Sequence, residues 1–205
     1  MENKKKGLLI VVSGPAGSGK GTVLSHLLKE DNYRCSVSAT TRQPRPGEQN
    51  GVNYHFLTRE AFIERLSKDE MLEYTEYCGN YYGTPKKEAE EVLNSGCNLI
   101  LEIEVEGAAN VKRKYPDAVT IMLLPPSAAV LEARLRGRGT ETEEKIQKRL
   151  AQTRNELPLV GKYDYIVRNE DGGAEQAAAD ILAIVRAEQL KAARDPDAAE
   201  RYFAD

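Results

Sequence analysis

A glycine-rich stretch constrains the fold of this chain more than any other feature, because of what precedes and follows it. Residues 8–12, LLIVV, form a continuous apolar run rich in β-branched residues, which is typical of a strand buried on both faces of a parallel sheet. Residues 14–22, GPAGSGKGT, come next, and apolar residues then recur at helical spacing. A buried strand, a glycine-rich turn and a helix N-terminus in this order predict a phosphate-binding loop. The alternative is a glycine-rich turn beside a surface lysine, and the coincidence of all these elements argues against it.

The residues of this loop have separate tasks in binding a polyphosphate. Gly17 and Gly19 can take positive φ angles and turn backbone N–H groups toward an anion, and Lys20 can reach the β- and γ-phosphates of a nucleotide. The next residue is usually Ser or Thr, whose hydroxyl holds Mg²⁺, whereas here it is Gly21 and a hydroxyl appears only at Thr22. We therefore expect no direct metal ligand from residue 21, and a Mg²⁺ ion, bound with ATP, that phosphates, waters and carboxylates hold. The candidate ATP-binding residues are Gly14, Pro15, Ala16, Gly17, Ser18, Gly19, Lys20, Gly21 and Thr22.

Net charge and cysteine usage argue against several classes of protein. The chain has 205 residues, 40% of them hydrophobic, and a formal net charge of −3. Proteins that bind nucleic acid without sequence preference are normally basic, so we expect no nucleic-acid partner. Cys35, Cys78 and Cys97 are odd in number and far apart, which favours free thiols in a reducing cytoplasm over disulfides or a zinc site. The apolar run at 8–12 is too short for a membrane span or a signal-peptide core, so we predict a cytoplasmic protein with no membrane contact.

Strands and helices alternate through most of the chain. Residues 98–104, 119–124 and 163–167 are predicted to be strands, with helical patterns between and after them. This alternation predicts an α/β fold, a parallel sheet with helices on both faces. Residues 37–96 differ, because their elements are short, polar and rich in tyrosine, and we interpret them as an inserted lobe. A continuous domain with an antiparallel flap is the alternative interpretation.

The predicted organisation is a single domain, residues 1–205, with two appendages on a core. Its parts are a core of residues 7–36, 97–136 and 149–190, a lobe of 37–96, a lid of 137–148 and a C-terminal tail of 191–205. Thr58 and Ser127 are predicted to be helix N-caps. Thr140 and Glu143 form a capping-box pattern for the helix after the lid.

Arginines cluster on both appendages. They are Arg42 and Arg45 in the lobe, and Arg134, Arg136, Arg138 and Arg149 around the lid. Arginine matches the geometry of phosphate oxygens, and one phosphate site needs few arginines. Two groups therefore predict two anionic substrates that are brought together. Taken singly, each arginine is better explained as an ordinary surface charge, so the argument depends on the set beside a phosphate-binding loop.

Three carboxylates of interest lie in two of the predicted strands. Glu102 and Glu104 are predicted to end a buried strand on one face. Ligands of an open parallel sheet bind at the carboxyl ends of its strands, so this pair could orient Mg²⁺ through waters or contact a ribose. The alternative is that the two carboxylates form a cap or pair with a nearby lysine such as Lys112. Glu73 lies in a predicted lobe strand, and by itself such a carboxylate is usually on a solvated face. No Ser-His-Asp arrangement is evident, which fits a reaction whose nucleophile is already ionised.

Six stretches of the sequence resemble one protein family. They are SGPAGSGKGT at 13–22, SVSATTRQPRPGE at 36–48, NGVNYHF at 50–56, GNYYGT at 79–84, LEIEVEG at 101–107 and RGRGTET at 136–142. With these motifs the chain resembles the guanylate kinases of the bacterial cytosolic type over about residues 7–190. The first stretch fits any nucleotide kinase, whereas the second and fourth are specific to the GMP-binding lobe of this family.

This resemblance implies a fold, an activity and ligands. The fold is the P-loop NTPase α/β fold, with an inserted GMP-binding lobe and a short lid. The activity is transfer of the γ-phosphoryl group of ATP to GMP, and also to dGMP, which gives ADP and GDP in purine nucleotide metabolism. Mg²⁺ bound with ATP is the implied cofactor, and the implied assembly is a monomer or a homodimer.

The resemblance also implies a role for each matching site residue. The expected catalytic residues are Lys20, Arg42, Arg138 and Arg149. The residues expected to bind the phosphate of GMP are Arg42, Arg45, Tyr54 and Tyr82, and those expected to read guanine are Ser38, Glu73 and Thr84. Glu104 is also an expected GMP-binding residue, although the family usually has Asp there, and Glu106 stands where Gln is usual. No direct metal ligand is expected, with Mg²⁺ near Glu102 and Glu104.

Two alternatives to this activity belong to different classes of protein. One is another kinase of the same architecture, acting on AMP, a pyrimidine nucleotide or a phosphorylated ribose. The other is a guanylate-kinase-like binding module without catalysis. Such modules tend to lose the loop lysine, which is present here as Lys20.

Overall fold

The computed structural model describes residues 5–77, 79–137 and 142–203, which form nine strands and eight α-helices. The strands are β1 (Leu9–Ser13), β2 (Tyr33–Cys35), β3 (Ala39–Thr40), β4 (His55–Phe56), β5 (Met71–Tyr77), β6 (Asn80–Pro85), β7 (Asn98–Glu102), β8 (Val119–Leu124) and β9 (Tyr165–Arg168). The helices are α1 (Lys20–Leu27), α2 (Arg59–Ser67), α3 (Lys86–Asn94), α4 (Val105–Lys114), α5 (Ala128–Gly137), α6 (Glu143–Glu156), α7 (Ala174–Gln189) and α8 (Ala198–Tyr202). Two 3₁₀ helices span Leu157–Lys162 and Ala192–Arg194.

Five strands form a parallel sheet in the order β2-β7-β1-β8-β9. All residues of the central strand β1 are buried, because helices cover both faces of the sheet. Ile10 and Val12 pack in a core cluster with residues of α1 and α7, whereas Leu9 and Val11 pack with residues of α3 and α4. The predicted parallel sheet with helices on both faces is therefore confirmed.

A second sheet of four strands lies within the predicted lobe, in the order β4-β3-β6-β5. Strands β5 and β6 pair in antiparallel fashion, whereas β3 and β4 pair in parallel. The sheet has a small core of its own, in which Ala39, Phe62 and Met71 are buried. Helix α3, also within the predicted lobe, packs against the central sheet through Ala89 and Leu93. The boundaries of the core, lobe and lid stay a prediction.

The predicted helix caps have mixed outcomes. The hydroxyls of Thr58 and Ser127 each accept a hydrogen bond of 3.2 Å from the backbone amide three residues later, which confirms both caps. The capping box on Thr140 and Glu143 is wrong, because α6 begins at Glu143 itself and its N-cap is Thr142. Thr140 lies outside the described residues.

The carboxyl end of β7 also differs from the prediction. Glu102 is the last residue of the strand, whereas Glu104 is the N-cap of α4. The chain has left the sheet by that point, so the two carboxylates do not extend from one strand face. The alternative of capping or lysine pairing has a divided outcome. Glu104 occupies the N-cap position of α4, although its side chain makes no capping hydrogen bond, whereas Lys112 donates a hydrogen bond of 2.8 Å to Asp164 and not to either glutamate.

Two further predictions concern the cysteine thiols and membrane-spanning segments. Cys35 and Cys97 are free thiols, and burial together with the nearby Glu102 raises the pKa of Cys35 to about 11. This thiol is therefore protonated and unreactive at neutral pH. Cys78 lies outside the described residues. Within the described ranges, no helix is both long enough and apolar enough to cross a bilayer.

Candidate active site

The loop between β1 and α1 has the backbone geometry that anion binding requires. Gly17 and Gly19 have φ angles of 94° and 87°, which glycine adopts at little steric cost, so the predicted turn is confirmed. Close packing also requires Gly14, since a Cβ atom there would lie 2.3 Å from the carbonyl oxygen of Leu123. The loop leads into the N-terminus of α1, where the first amides have no partner within the helix.

Lys20 is the first residue of α1, and its ammonium group lies against the loop. Its Nζ atom donates a hydrogen bond of 2.6 Å to the carbonyl oxygen of Gly14. The following residues, Gly21 and Thr22, are both exposed. The loop thus combines a positive charge with a helix N-terminus, as the sequence predicts.

Asn169 holds the loop in place and is a residue that the motifs did not single out. Its buried Nδ2 atom donates a hydrogen bond of 2.8 Å to the carbonyl oxygen of Ser18. A Cβ atom on Gly19 would lie 2.3 Å from this same Nδ2 atom, so the bond requires glycine there. The signal in the sequence was a polar residue directly after β9, at the edge of the sheet where ligands bind.

Glu102 and Glu104 lie beside the loop at the carboxyl edge of the central sheet. Glu102 is in register with Val12, the residue of β1 just before the strand's end. The Ser13 hydroxyl donates a hydrogen bond of 2.8 Å to the carbonyl oxygen of Ile103, between the two glutamates. Both glutamates are exposed, so they can hold a hydrated cation next to the loop.

A third carboxylate, Glu156 at the end of α6, lies near Glu104 and Lys20. None of the sequence motifs includes it. Burial raises the pKa of Glu156, and the charge of Glu104 raises it further. A hydrogen bond from Gln152 and the charge of Lys20 lower this pKa, but they do not cancel the rise. Glu156 therefore lies within electrostatic range of both Glu104 and Lys20. Among the described residues, no group of three or more His, Cys, Asp or Glu side chains could hold a metal ion.

The residues predicted to bind the phosphate of GMP meet on the second sheet. The Arg42 guanidinium lies 5.4 Å from the centroid of the Tyr54 ring, and the Tyr54 and Tyr82 ring centroids are 6.1 Å apart. Glu48 accepts a hydrogen bond of 2.9 Å from Arg42 Nη2 and one of 2.7 Å from the Arg45 amide, and these bonds lower its pKa. Glu48 thus holds the guanidinium in place, while the Arg45 side chain is exposed.

Glu73 and Thr84, predicted to read guanine, form a buried pair. The Thr84 hydroxyl donates a hydrogen bond of 2.9 Å to Glu73 Oε1, and the half-buried Ser38 precedes the neighbouring strand β3. Burial raises the pKa of Glu73 to about 7, although the bonds from Thr84 and the charge of Lys114 oppose the rise. The interpretation of Glu73 as a residue on a solvated face is wrong, because Glu73 is 3% exposed.

The arginines around the lid do not form one group in the described part of the chain. Arg134 and Arg136 each form an ion pair with a neighbouring acidic side chain at 2.7 Å, so both are held as structural charges. Arg149 lies on α6, two turns before Glu156. Arg138 lies outside the described residues.

Comparisons with known proteins point to one family. The family model described as guanylate kinase matches residues 6–188. A guanylate kinase of Halalkalibacterium halodurans is 54% identical over 192 residues, which are 93% of this chain and 93% of that protein. A guanylate kinase of Desulfitobacterium hafniense is 47% identical over 191 residues, 93% of this chain and 94% of that protein. The crystal structure of guanylate kinase from Anaplasma phagocytophilum superimposes with a TM-score of 0.76 at 35% identity, covering 93% of this chain and 90% of that one.

Proposed function

Because the chain belongs to the guanylate kinase family, it is an ATP:GMP phosphotransferase, and we propose how its residues divide that reaction. The observation that carries the division is the presence of two separate cationic groups. Lys20 lies at the loop of the central sheet, whereas Arg42 lies with Tyr54 on the second sheet. Phosphoryl transfer between two anions depends mainly on positioning and charge neutralisation, so it requires a group of this kind for each substrate.

We assign the triphosphate of ATP to the loop of residues 14–22. The loop amides and the N-terminus of α1 bind the phosphate oxygens, and Lys20 exchanges its bond to the Gly14 carbonyl for the β- and γ-phosphates. Asn169 keeps the loop in its binding conformation through the bond to Ser18.

We assign the phosphate of GMP to Arg42, Arg45, Tyr54 and Tyr82. Arg42 is supported by its position over Tyr54 and by the ion pair with Glu48, which holds the guanidinium before the ligand arrives. Preorganised donors lose little entropy on binding, so a rigid arginine binds phosphate more tightly than a mobile one.

We assign guanine to Glu73, with Ser38 and Thr84 beside it. Guanine presents a ring N–H and an amino group side by side, and an ionised carboxylate can accept both hydrogen bonds. The Thr84 hydroxyl already donates to Glu73, so Thr84 orients the carboxylate. The hydroxyl of Ser38 is then the group that we assign to guanine O6.

The remaining roles concern the transferring phosphoryl group. We assign its neutralisation to Arg149 on α6 and to Arg138. The chain fits Mg²⁺ held through waters, since Gly21 offers no hydroxyl while Glu102 and Glu104 are exposed beside the loop. When bound with ATP, Mg²⁺ neutralises charge on the β- and γ-phosphates.

We further propose that dGMP is also a substrate, that the enzyme acts in purine nucleotide metabolism in the cytoplasm, and that it is a monomer or a homodimer. The free thiols of Cys35 and Cys97 support a reducing compartment. The absence of a long apolar helix from the described part of the chain is compatible with this location.

A coupled assay with ATP and a panel of monophosphates tests the assignment. GMP is expected to be the best acceptor and dGMP the next, with AMP, CMP and UMP far slower. The assay is repeated with excess EDTA, which should abolish transfer if Mg²⁺ is required. Transfer to AMP at the rate of GMP would contradict the assignment of guanine to Glu73.

A further inference from the structure

We propose that the hydrogen bond between Tyr77 and Gln152 is a positioning contact, which sets the GMP-binding residues at the correct distance from the phosphate-binding loop. The Tyr77 hydroxyl donates to Gln152 Oε1 at 3.0 Å. Tyr77 ends β5 in the second sheet, whereas Gln152 lies on α6. The bond therefore joins the second sheet to α6, and the proposal rests on the proposed function of the GMP-binding and ATP-binding residues.

On the side assigned to GMP, Tyr77 extends the cluster of aromatic rings around Arg42. The ring of Tyr77 packs edge-on against Tyr82 with centroids 6.5 Å apart, and Tyr82 packs against Tyr54 at 6.1 Å. Arg42 lies over the Tyr54 ring at 5.4 Å. Packed aromatic rings have few rotatable bonds and shift together, so the Tyr77 hydroxyl moves with the residues assigned to the phosphate of GMP.

On the side assigned to ATP, Gln152 bonds to Glu156, which lies within electrostatic range of the loop lysine. Its Nε2 atom donates a hydrogen bond of 2.7 Å to Glu156 Oε1. This bond orients the amide so that its oxygen is presented to Tyr77. Glu156 in turn interacts electrostatically with Lys20 and Glu104, so the far end of the connection lies at the loop that we assign to ATP.

The position of Tyr77 on its strand explains why one hydroxyl matters. Nearer the start of β5, the carbonyl oxygens of Leu72 and Tyr74 accept bonds from Lys114 and Asn110 of α4, at 3.4 and 3.2 Å. The hydrogen bond from Tyr77 to Gln152 adds an attachment to α6 at the other end of the strand. Without it, β5 keeps its attachment to α4 and the second sheet can tilt about that attachment.

A tilt of the sheet should affect transfer more than binding. Nearly all residues assigned to GMP lie on the second sheet and its loops, so they move together and keep their contacts with the ligand. The distance between the two phosphates changes instead, and a displacement of about 1 Å can cost up to 10²-fold in rate. The loss of one neutral hydrogen bond is expected to cost about three- to tenfold.

The test is a double-mutant cycle on Tyr77→Phe and Gln152→Ala, with Tyr74→Phe as the matched control. Tyr77→Phe removes a single oxygen and keeps the ring contact with Tyr82. Tyr74 lies on the same strand, and its hydroxyl makes no hydrogen bond to any described residue. The measurements are the GMP dissociation constant without ATP, and the single-turnover transfer rate at saturating ATP and GMP.

Each single variant is expected to lower the transfer rate about three- to tenfold, with the dissociation constant of GMP changed by less than about twofold. The double variant should be no slower than the slower single variant, because both substitutions remove the same hydrogen bond. The control should transfer at the wild-type rate.

Three results would overturn the proposal. They are a wild-type rate in Tyr77→Phe, effects that multiply in the double variant, and a rise in the GMP dissociation constant that matches the fall in rate. The wild-type protein in the same assay separates this failure from a failure of the proposed function. If the wild type does not phosphorylate GMP, the proposed function is wrong. If it does, the ratios of the transfer rates of the variants to that of the wild type decide the role of the Tyr77–Gln152 bond.

Discussion

The Thr84 hydroxyl donates a hydrogen bond of 2.9 Å to Glu73 Oε1, and both residues are almost inaccessible to solvent. The bond stabilises the ionised carboxylate, but burial has the larger effect and raises the pKa of Glu73 to about 7. The ligand-free carboxyl group therefore changes its charge near neutral pH. A ligand that presents two N–H donors favours the ionised form, so binding and ionisation of Glu73 are coupled.

The first prediction is that Glu73 makes the ligand-free protein less stable as the pH rises from 5 to 8. Between the usual pKa of 4.5 and about 7, the folded state holds the proton and the unfolded state releases it. The free energy of unfolding then falls with rising pH, by up to roughly 3 kcal/mol. Glu73→Gln removes this dependence. Urea denaturation of both proteins at pH 5 and pH 8 measures it.

Glu76→Gln is the matched control for this measurement, because Glu76 is exposed on the same strand. Its stability should follow the wild type at both pH values. If wild type and Glu73→Gln lose the same free energy between pH 5 and pH 8, then Glu73 is ionised throughout and its pKa is not raised.

The second prediction is that Glu73→Gln narrows the preference for GMP over AMP. An ionised carboxylate accepts both guanine donors, whereas the amide of Gln places a donor against one of them. Adenine would leave the buried carboxylate without a partner, and sites of this kind reject the wrong ligand by roughly 10⁴-fold or more. The ratio of kcat/KM for GMP to that for AMP should fall at least about tenfold in the variant. An unchanged ratio would place base recognition elsewhere.

The third prediction concerns the loop lysine. Lys20→Ala should lower kcat by roughly 10²-fold or more, the cost of losing one preorganised donor to the developing charge. Lys29→Ala removes an exposed lysine just after α1 and should leave kcat unchanged. Steady-state rates at saturating ATP and GMP make the comparison. Normal turnover in a folded Lys20→Ala protein would remove the loop from its assigned role.

The fourth prediction separates the two arginine groups. Arg42→Ala should raise the KM for GMP about 10- to 100-fold, the cost of a charged hydrogen bond, with little effect on the KM for ATP. Arg149→Ala should instead lower kcat, because its charge is assigned to the transferring group. Initial rates with each substrate varied in turn provide both constants. Equal losses of ATP affinity alone in both variants would contradict two separate anion sites.

The loop and the central sheet were predictable because their signals are local. Residues 8–12 are a continuous apolar run, and residues 119–124 are apolar except for Thr120. Stretches of this kind predict buried strands. The positive φ angles of Gly17 and Gly19 follow from the loop's own sequence. Errors arose at the ends of elements, where Glu104 became a helix cap and Thr142 replaced Thr140, because capping depends on where the backbone first turns.

The parallel α/β sheet, the phosphate-binding loop and, through motifs, the family were predictable from the sequence, since each of these depends on neighbours along the chain. Which distant side chains meet depends on the tertiary fold. The hydrogen bond from Asn169 to the loop, the proximity of Glu156 to Lys20 and the bond from Tyr77 to Gln152 each join segments far apart in sequence. The burial of Glu73 also depends on the tertiary fold. The strand pattern predicts which face of the strand Glu73 lies on, but its pKa depends on all the groups packed around that face.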